Sequence, residues 1–146
     1  MINYTLGFLF DYNLTKVALI RKLKPDWQKN KLNGVGGKIE VFDQTYLAGL
    51  IREYREETTY TADVDWVEYA TMSGPDFNVH CFAGTGDVDN VKALTKEVID
   101  VINVSDITNR RGEMIDNLPW LIYIAMDTLC DGRPSYTTII YKDKDE

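Results

Sequence analysis

The sequence has few of the residues that build disulfides, zinc sites or membrane spans. It contains two cysteines and one histidine among 146 residues, so neither a disulfide framework nor a Cys/His zinc site is expected. We interpret Cys81 and Cys130 as reduced residues in or near the core. No apolar run reaches the roughly 20 residues that span a bilayer, and the N-terminus lacks the pattern of a signal peptide. A cytoplasmic protein is therefore expected.

Basic residues are also in deficit. The chain has 16 Lys and Arg against 23 Asp and Glu, which gives a formal net charge of −7. Duplex nucleic acid and anionic membranes both require clustered Lys and Arg, so neither is an expected partner. A small anionic substrate is not excluded, because a metal and a few local cations can neutralise it. We expect a single domain over residues 1–146, as a monomer or homodimer, that binds a small molecule.

Three glutamates, Glu53, Glu56 and Glu57, share one face of a predicted helix because positions i, i+3 and i+4 are neighbours. Like charges at this spacing repel by about 0.2 to 0.5 kcal/mol per pair, and acids in a last turn oppose the helix dipole. Arg52 can reach Glu56 one turn along the helix. A divalent cation such as Mg²⁺ satisfies all three carboxylates, since hard ions prefer oxygen ligands. A solvated charged face is the alternative.

A glycine-rich segment precedes this helix. Gly34, Gly36 and Gly37 are followed by Lys38, which lets the main chain approach a ligand closely with a cation beside it. Taken alone, the pattern is more typical of a hairpin connection. It matches neither of the common phosphate-binding loops.

Together, the two segments resemble the signature of the Nudix hydrolases: Gly, five residues, Glu, seven residues, then Arg-Glu-apolar-x-Glu-Glu-x-Gly-apolar. Gly37 opens the motif, and residues 52–57, Arg-Glu-Tyr-Arg-Glu-Glu, fill its helix. The resemblance implies an α/β fold, namely a Nudix-type α/β/α sandwich with a mixed β-sheet. It also implies a pyrophosphohydrolase that cleaves a diphosphate linkage in nucleoside diphosphate derivatives.

The sequence departs from this signature at two places. Asp43 stands where the family has Glu, and the spacing from Gly37 to Arg52 is one residue longer, so the loop 41–45 must absorb an extra residue. Whether Asp43 supports the helix stays open at this point. Thr59 replaces the glycine beyond the helix. A β-branched residue would be strained by about 1 kcal/mol or more in a left-handed cap, so we expect a different helix ending.

The resemblance also implies roles for individual residues. It assigns Glu53, Glu56 and Glu57 to Mg²⁺ or Mn²⁺, with the main chain of Gly36 or Gly37 as a further ligand. Arg52 is expected to orient one glutamate, and Lys38 to contact substrate phosphate. The general base is one of the three glutamates or a later acid, with Glu97, Glu113 and Asp116 as candidates. The lone His80 is interpreted as a packed residue rather than the base.

Residues 32–38 are similar to the Trp-Asn-Gly-Phe-Gly-Gly-Lys segment of enzymes that hydrolyse oxidised purine nucleoside triphosphates. Asp116-Asn117 followed by Trp120 resembles their base-reading segment, which implies that Asn33 and Asp116 contact the purine. Base stacking requires an aromatic ring, and Trp27, Phe8 and Trp120 are candidates, with a core or lid role as the alternative for each. Leu32 replaces the family's Trp, so the match supports a nucleotide more than a particular base.

A (deoxy)nucleoside triphosphate, oxidised purine nucleotides included, is therefore the expected substrate. A nucleotide sugar, a dinucleotide, or a sensing module without catalysis are the alternatives. An isomerase of isoprenoid diphosphates would need further catalytic Cys and metal-binding His residues, and the single His of this chain disfavours it.

Hydrophobic patterns predict strands at residues 4–10, 16–22, 64–72, 78–84 and 99–104, with a late edge strand at 136–141. The first helix is predicted to begin near Asp43 or Thr45 and to bury a stripe of Leu47, Leu50, Ile51 and Tyr54. A second helix is predicted from about 119 to 129, ended by Gly132 and Pro134 and buried nearly all round. Residues 142–146 are predicted to be a frayed tail.

Overall fold

A computed structural model describes residues 1–131 and 135–143 of the chain. Within these residues, eight strands form one mixed sheet that lies between two α-helices. The strands are β1 (Ile2–Phe10), β2 (Lys16–Arg21), β3 (Leu32–Asn33), β4 (Val35–Lys38), β5 (Val67–Ser73), β6 (Phe77–Thr85), β7 (Val98–Asn103) and β8 (Thr137–Ile140), and the helices are α1 (Tyr46–Glu57) and α2 (Leu118–Asp131). Neither helix is long and apolar enough to cross a membrane.

The sheet is mixed because its central strand, β1, has neighbours in both directions. It pairs in parallel with β6 and antiparallel with β2 and β4, and the order along the sheet is β3-β2-β1-β6-β5-β8, with β7 also paired to β2. Successive side chains of β1 point to opposite faces. Phe8 and Phe10 pack into the core beneath α2, whereas Leu9 packs into the core beneath α1. The predicted α/β/α sandwich is confirmed.

Helix α1 begins at the second of its two predicted caps. Thr45 Oγ1 accepts a hydrogen bond from Ala48 N–H at 3.0 Å, which satisfies one of the free donors at the helix start. Leu50 and Tyr54 are buried as predicted. Leu47 is 37% exposed, and its predicted burial is wrong because the buried part of the helix begins only at Gly49.

The helix ends without a left-handed residue. Thr58 is extended, with φ −132° and ψ 164°, and both its N–H and its Oγ1 donate to the carbonyl oxygen of Tyr54, at 3.0 and 2.7 Å. The hydroxyl therefore satisfies a terminal carbonyl that a glycine cap would otherwise serve. The different helix ending expected from Thr59 is confirmed.

Helix α2 is buried over most of its surface. Leu118, Leu121, Ile122 and Ala125 are buried against β5 and β6, and Trp120, Ile124, Met126 and Leu129 pack against the same core. The prediction of deep burial holds except for one stripe, formed by Tyr123, Asp127 and Cys130, that is exposed. The predicted stop at residues 132 and 134 lies outside the described residues. So does the end of the predicted tail, residues 144–146.

The six predicted strands are present, including β8 at the sheet edge, but β3 and β4 were missed. Gly36 and Gly37 lie inside β4, opposite Leu6 and Thr5 of β1. A Cβ atom on Gly36 would lie 2.0 Å from the carbonyl oxygen of Thr5. Glycine is needed here because the two strands approach too closely for a side chain.

Replacing Gly36 with Ala should therefore destabilise the protein, by about 2 kcal/mol or more, because β4 must move away from β1. Chemical denaturation in urea measures this directly. Gly112→Ala is the matched control, since a Cβ there meets nothing within 4 Å. Equal stability of the two variants would contradict the close approach of the strands.

Candidate functional site

The acidic face of α1 lies beside β4. A Cβ atom on Gly37 would be 2.6 Å from both Cδ and Oε1 of Glu53, so the Glu53 carboxylate packs directly against the glycine main chain. Burial raises the pKa of Glu53, and the neighbouring guanidinium of Arg52 opposes that rise. The glycine segment and the acidic helix are separate in the sequence, but in the fold they form one site.

Arg52 links the loop before α1, the end of β4 and α1 itself, and it uses every N–H group of its guanidinium to do so. Nε and Nη2 donate to the two carboxylate oxygens of Asp43, at 3.0 and 2.9 Å, and Nη2 also donates to the carbonyl oxygen of Lys38 at 3.1 Å. Nη1 donates to Glu53 Oε1 and Glu56 Oε2, each at 3.1 Å. A forked pair of this kind is among the stronger hydrogen-bonded contacts of proteins.

Asp43 therefore supports the helix despite its short side chain and the longer loop. Its Oδ2 also accepts the N–H of Glu40 at 2.8 Å, which closes the loop over three residues. The Arg52 guanidinium, followed by this N–H, lowers the pKa of Asp43. The loop therefore accommodates the extra residue while Asp43 still contacts the helix through Arg52.

Glu56 and Glu57 differ in their surroundings. The Glu56 side chain is 57% exposed, whereas Glu57 is half-buried and its Oε2 is buried without a hydrogen-bond partner among the described residues. Burial raises the pKa of Glu57 to about 7, with Lys22 opposing and Glu53 reinforcing the rise. A buried carboxylate oxygen without a partner costs free energy.

Glu97 comes from the loop before β7 and lies near Glu57, whose pKa its charge helps to raise. Its Oε2 accepts the N–H of Leu23 at 2.6 Å, and Lys22 Nζ is 3.5 Å from its Oε1. Both Lys22 and Glu97 are largely buried. Sequence reasoning missed Lys22, because nothing in the pattern separates it from the neighbouring basic residues Arg21 and Lys24.

Glu113, another of the candidate bases, is engaged elsewhere. Its carboxylate bonds to Arg110 at 2.9 Å and to Arg21 at 3.1 Å, and both arginines also contact Asp100. These contacts, Arg110 first, lower the pKa of Glu113 to about 2. Glu113 is therefore a member of a structural ion-pair network and not a free base.

The two predicted base-contacting residues lie on adjoining segments. Leu32 and Met114 form a parallel bridge, and Ile115 N–H donates to the carbonyl oxygen of Leu32 at 3.2 Å. Asn33 directly follows Leu32, and Asp116 lies two residues after Met114. The bridge therefore brings Asn33 and Asp116 to the same end of β3. Asp116 is exposed and Asn33 is half-buried.

The three aromatic candidates for base stacking are now distinguishable. Phe8 is fully buried in the core, which confirms its core role over stacking, and Trp120 is half-buried against the core. Trp27 is 69% exposed, and its neighbour Gln28 accepts a hydrogen bond from Asn33 Nδ2 at 3.2 Å. Trp27 is therefore the candidate that is both accessible and close to Asn33.

His80 is packed, as predicted. Its ring stacks on Tyr46 with a centroid separation of 3.5 Å and an interplanar angle of 15°, and its Nδ1 is 3.3 Å from a carboxylate oxygen of Glu68. Cys81 and Cys130 are both free, and Cys81 is buried. Cys130 is exposed, so its predicted place in or near the core is wrong. It lies near the end of α2, in the exposed stripe of that helix.

This arrangement was compared with known proteins. No family model and no curated protein matches the chain. Several solved structures do match it. A NUDIX hydrolase from Nitrosomonas europaea superposes with a TM-score of 0.75 at 19% identity, covering 97% of this chain and 79% of that one. The MutT protein from Bacillus halodurans gives 0.70 at 17%, covering 100% and 94%. The NUDIX domain of Shewanella oneidensis NrtR, complexed with ADP ribose, gives 0.72 at 14%, covering 88% of each chain.

The chain has the Nudix fold. Within the described ranges, 1–131 and 135–143, this Nudix fold holds no group of three or more His, Cys, Asp or Glu side chains arranged to enclose an ion. Arg52 donates to Glu53 and to Glu56, so both of these carboxylates are paired with a cation. The donor set nevertheless fits a hard divalent cation, since it consists of carboxylate oxygens and one of them, Glu57 Oε2, is buried and unpaired.

The buried Glu57 should make the metal-free protein less stable at high pH. Its folded pKa of about 7 lies above the ordinary value of 4.5, so the folded state holds an extra proton between these values and loses stability as the pH rises through about 7. Glu57→Gln should therefore raise the free energy of unfolding at pH 8 by about 1 to 2 kcal/mol, after allowance for solvent screening. The gain should vanish near pH 4. Urea denaturation in EDTA measures both values, and a variant no more stable than wild type at pH 8 would contradict the assignment.

Replacing Arg52 with Lys should destabilise the protein by about 1 to 3 kcal/mol, because a lysine cannot serve the forked pair with Asp43 and the Lys38 carbonyl together. Arg55→Lys, at an exposed position of the same helix, is the matched control and should change stability by less than about 0.5 kcal/mol. Thermal unfolding compares the two. Similar midpoints for both variants would show that the guanidinium contacts are dispensable.

Proposed function

We propose that the protein is a Nudix pyrophosphohydrolase that uses Mg²⁺ or Mn²⁺ to hydrolyse a diphosphate linkage in a nucleoside diphosphate derivative. The observation that carries the proposal is the buried carboxylate oxygen of Glu57, which has no hydrogen-bond partner among the described residues. It lies on the helix whose Glu53 packs against the Gly37 main chain. A fold selected only for stability has no reason to keep such an atom. A site for a divalent cation does.

The reaction sets clear demands on these residues. Water must form a bond to a phosphorus that anionic oxygens shield, and the bridging P–O bond must break. Glu53, Glu56, Glu57 and the carbonyl of Gly37 would hold the cation, which when bound offsets the diphosphate charge and lowers the pKa of a bound water. Arg52 is a positioning residue, because it holds Glu53 against β4 through its own contacts with Asp43.

Two further residues have defined tasks in this proposal. Lys38 is exposed at the end of β4, where its ammonium group can pair with a substrate phosphate. Glu97 is the later carboxylate that the fold brings to α1, and we assign to it the uptake of the proton from the attacking water. Lys22 and the N–H of Leu23 hold this carboxylate in place.

The finer substrate assignment depends on the other end of the site. Asn33 and Asp116 are neighbours at the end of β3, and Trp27 beside them offers a ring for stacking on a base. These residues favour a nucleoside as one half of the substrate. A (deoxy)nucleoside triphosphate with an oxidised purine base is the form that residues 32–38 favour. Nucleotide sugars and dinucleotides are the alternative.

A nucleotide-sensing role without hydrolysis is the rival from another class. The NrtR domain complexed with ADP ribose has this fold. The complete set of Glu53, Glu56 and Glu57 together with Glu97 favours an enzyme, because a sensor needs no unpaired carboxylate at the diphosphate.

Glu56→Gln and Glu57→Gln should each lower turnover by about two orders of magnitude or more, because each removes a charge that the cation needs. Purified protein is incubated with Mg²⁺ or Mn²⁺ and a panel of nucleoside triphosphates, an oxidised purine triphosphate, nucleotide sugars and dinucleotides, and released phosphate products are quantified. Asp63→Asn is the matched control, since Asp63 is exposed beside the opposite face of α1.

Wild-type hydrolysis that both glutamate variants lose and the control keeps supports the enzyme. Tight binding of a nucleotide without any cleavage would support the sensor instead. Unchanged rates in the glutamate variants would overturn the assigned site.

A further inference from the structure

The loop between β2 and β3, residues 22–31, is a basic segment of an acidic chain. It holds four lysines and one aspartate, a formal charge of +3, whereas the whole chain carries −7. A run of charges in a loop is most often only solvated. Its surroundings in the fold therefore decide whether it forms a binding surface.

A second basic segment lies against this loop. Lys31 Nζ donates to the carbonyl oxygen of Gly112 at 2.8 Å. Arg111 directly precedes Gly112 and is exposed. The fold thus brings Arg111 beside the loop from a distant part of the chain. We call residues 22–31 together with Arg111 the basic surface.

Most cations of the basic surface lack a carboxylate partner. Lys22 pairs with Glu97 at 3.5 Å. Within residues 1–131 and 135–143, the other four form no ion pair with an acid: Lys24, Lys29, Lys31 and Arg111. Unpaired cations in one short loop repel one another, and a partner with several negative charges relieves that repulsion.

The basic surface also presents an aromatic ring. Trp27 is 69% exposed. The loop that carries it is closed by main-chain hydrogen bonds, from Lys22 N–H to the carbonyl oxygen of Lys31 at 2.9 Å and from Asn30 N–H to that of Lys22 at 2.8 Å. An exposed ring among lysines is typical of surfaces that stack on bases while cations follow the phosphates.

Single-stranded nucleic acid is the polyanion that suits both features. Its phosphates can pair with the lysines, and its unpaired bases offer their faces to Trp27. A duplex offers no free base face along its length, and its broad negative surface would meet the acidic remainder of the chain. Leu23 and Trp27 are the exposed large apolar side chains of the basic surface, which is little apolar area for insertion into a membrane.

We propose that the basic surface binds single-stranded nucleic acid, with Trp27 stacked on a base and the four unpaired cations on the phosphates. The surface adjoins the proposed nucleoside end of the site, because Gln28 accepts a hydrogen bond from Asn33 Nδ2 at 3.2 Å. The proposal goes beyond the function proposed above. Binding of a strand needs neither a metal nor hydrolysis, so either proposal can fail while the other stands.

Fluorescence anisotropy tests this with labelled oligothymidylate and oligouridylate of about 10 nucleotides, in EDTA and at about 50 and 200 mM NaCl. Lys29→Glu removes one exposed cation of the basic surface. Lys142→Glu is the matched control, since it makes the same charge change at an exposed lysine beyond β8, at the opposite edge of the sheet from β3. Trp27→Ala removes the ring, and Trp27→Phe keeps one.

We expect saturable binding of at least one strand that weakens by about tenfold or more between the two salt concentrations. Lys29→Glu and Trp27→Ala should each weaken it by about fivefold or more, whereas Lys142→Glu and Trp27→Phe should change it by less than about threefold.

Three results would overturn the proposal. The first is the absence of saturable binding to either strand, and the second is equal affinity for a duplex of the same length. The third is an equal effect of Lys29→Glu and Lys142→Glu, which would show a response to net charge alone. Vesicles of phosphatidylserine and phosphatidylcholine are titrated in parallel. Binding to these vesicles that Lys29→Glu weakens, without binding to the strands, would assign the surface to a membrane instead.

Discussion

The guanidinium of Arg52 is the contact on which the rest of the site depends. It ties the loop before α1, the end of β4 and two carboxylates of α1 through Asp43, Lys38, Glu53 and Glu56. An arginine suits this position because its planar fork serves a carboxylate in two-point fashion and still has donors to spare. The acidic face of the helix is therefore held against the glycine strand in a fixed geometry.

That same contact explains why the glutamates divide into two kinds. Glu53 and Glu56 share Arg52, which offsets much of the repulsion between them. Glu57 turns inward, and its buried oxygen has no hydrogen-bond partner among the residues that the structure describes. The fold thus carries a carboxylate whose charged form is disfavoured by burial. The buried oxygen of Glu57 lowers the stability of the fold, and proteins commonly tolerate such a loss of stability at functional sites.

Local signals made much of this predictable from the sequence. Thr45 caps α1 through a contact three residues away, and the i, i+3, i+4 spacing alone placed the glutamates on one face. Strand β4 was missed because Gly36 and Gly37 have no side chains, so they show no alternation. Its tight pairing with β1 is a tertiary fact that only the structure reveals.

Contacts between residues that are far apart in the chain also could not be predicted from the sequence. Glu97 and Lys22 are far apart in the chain and meet because β7 pairs with β2, which no local pattern records. The sequence therefore left three later acids open as bases, and the fold separates them: Glu97 lies near α1, Glu113 is held by two arginines, and Asp116 lies near Asn33. The resemblance to the Nudix signature predicted the acidic helix and the glycines. The residues that surround them are known only from the strand pairing of the fold.

The central claim is that the inward-turned carboxylate of Glu57 exists to hold a divalent cation. Isothermal titration calorimetry of Mn²⁺ into nucleotide-free protein at pH 8 tests it most directly. Saturable binding to the wild type that weakens by about tenfold or more in Glu57→Gln is the predicted result. Equal affinity in the two proteins, or no binding to the wild type, would contradict it.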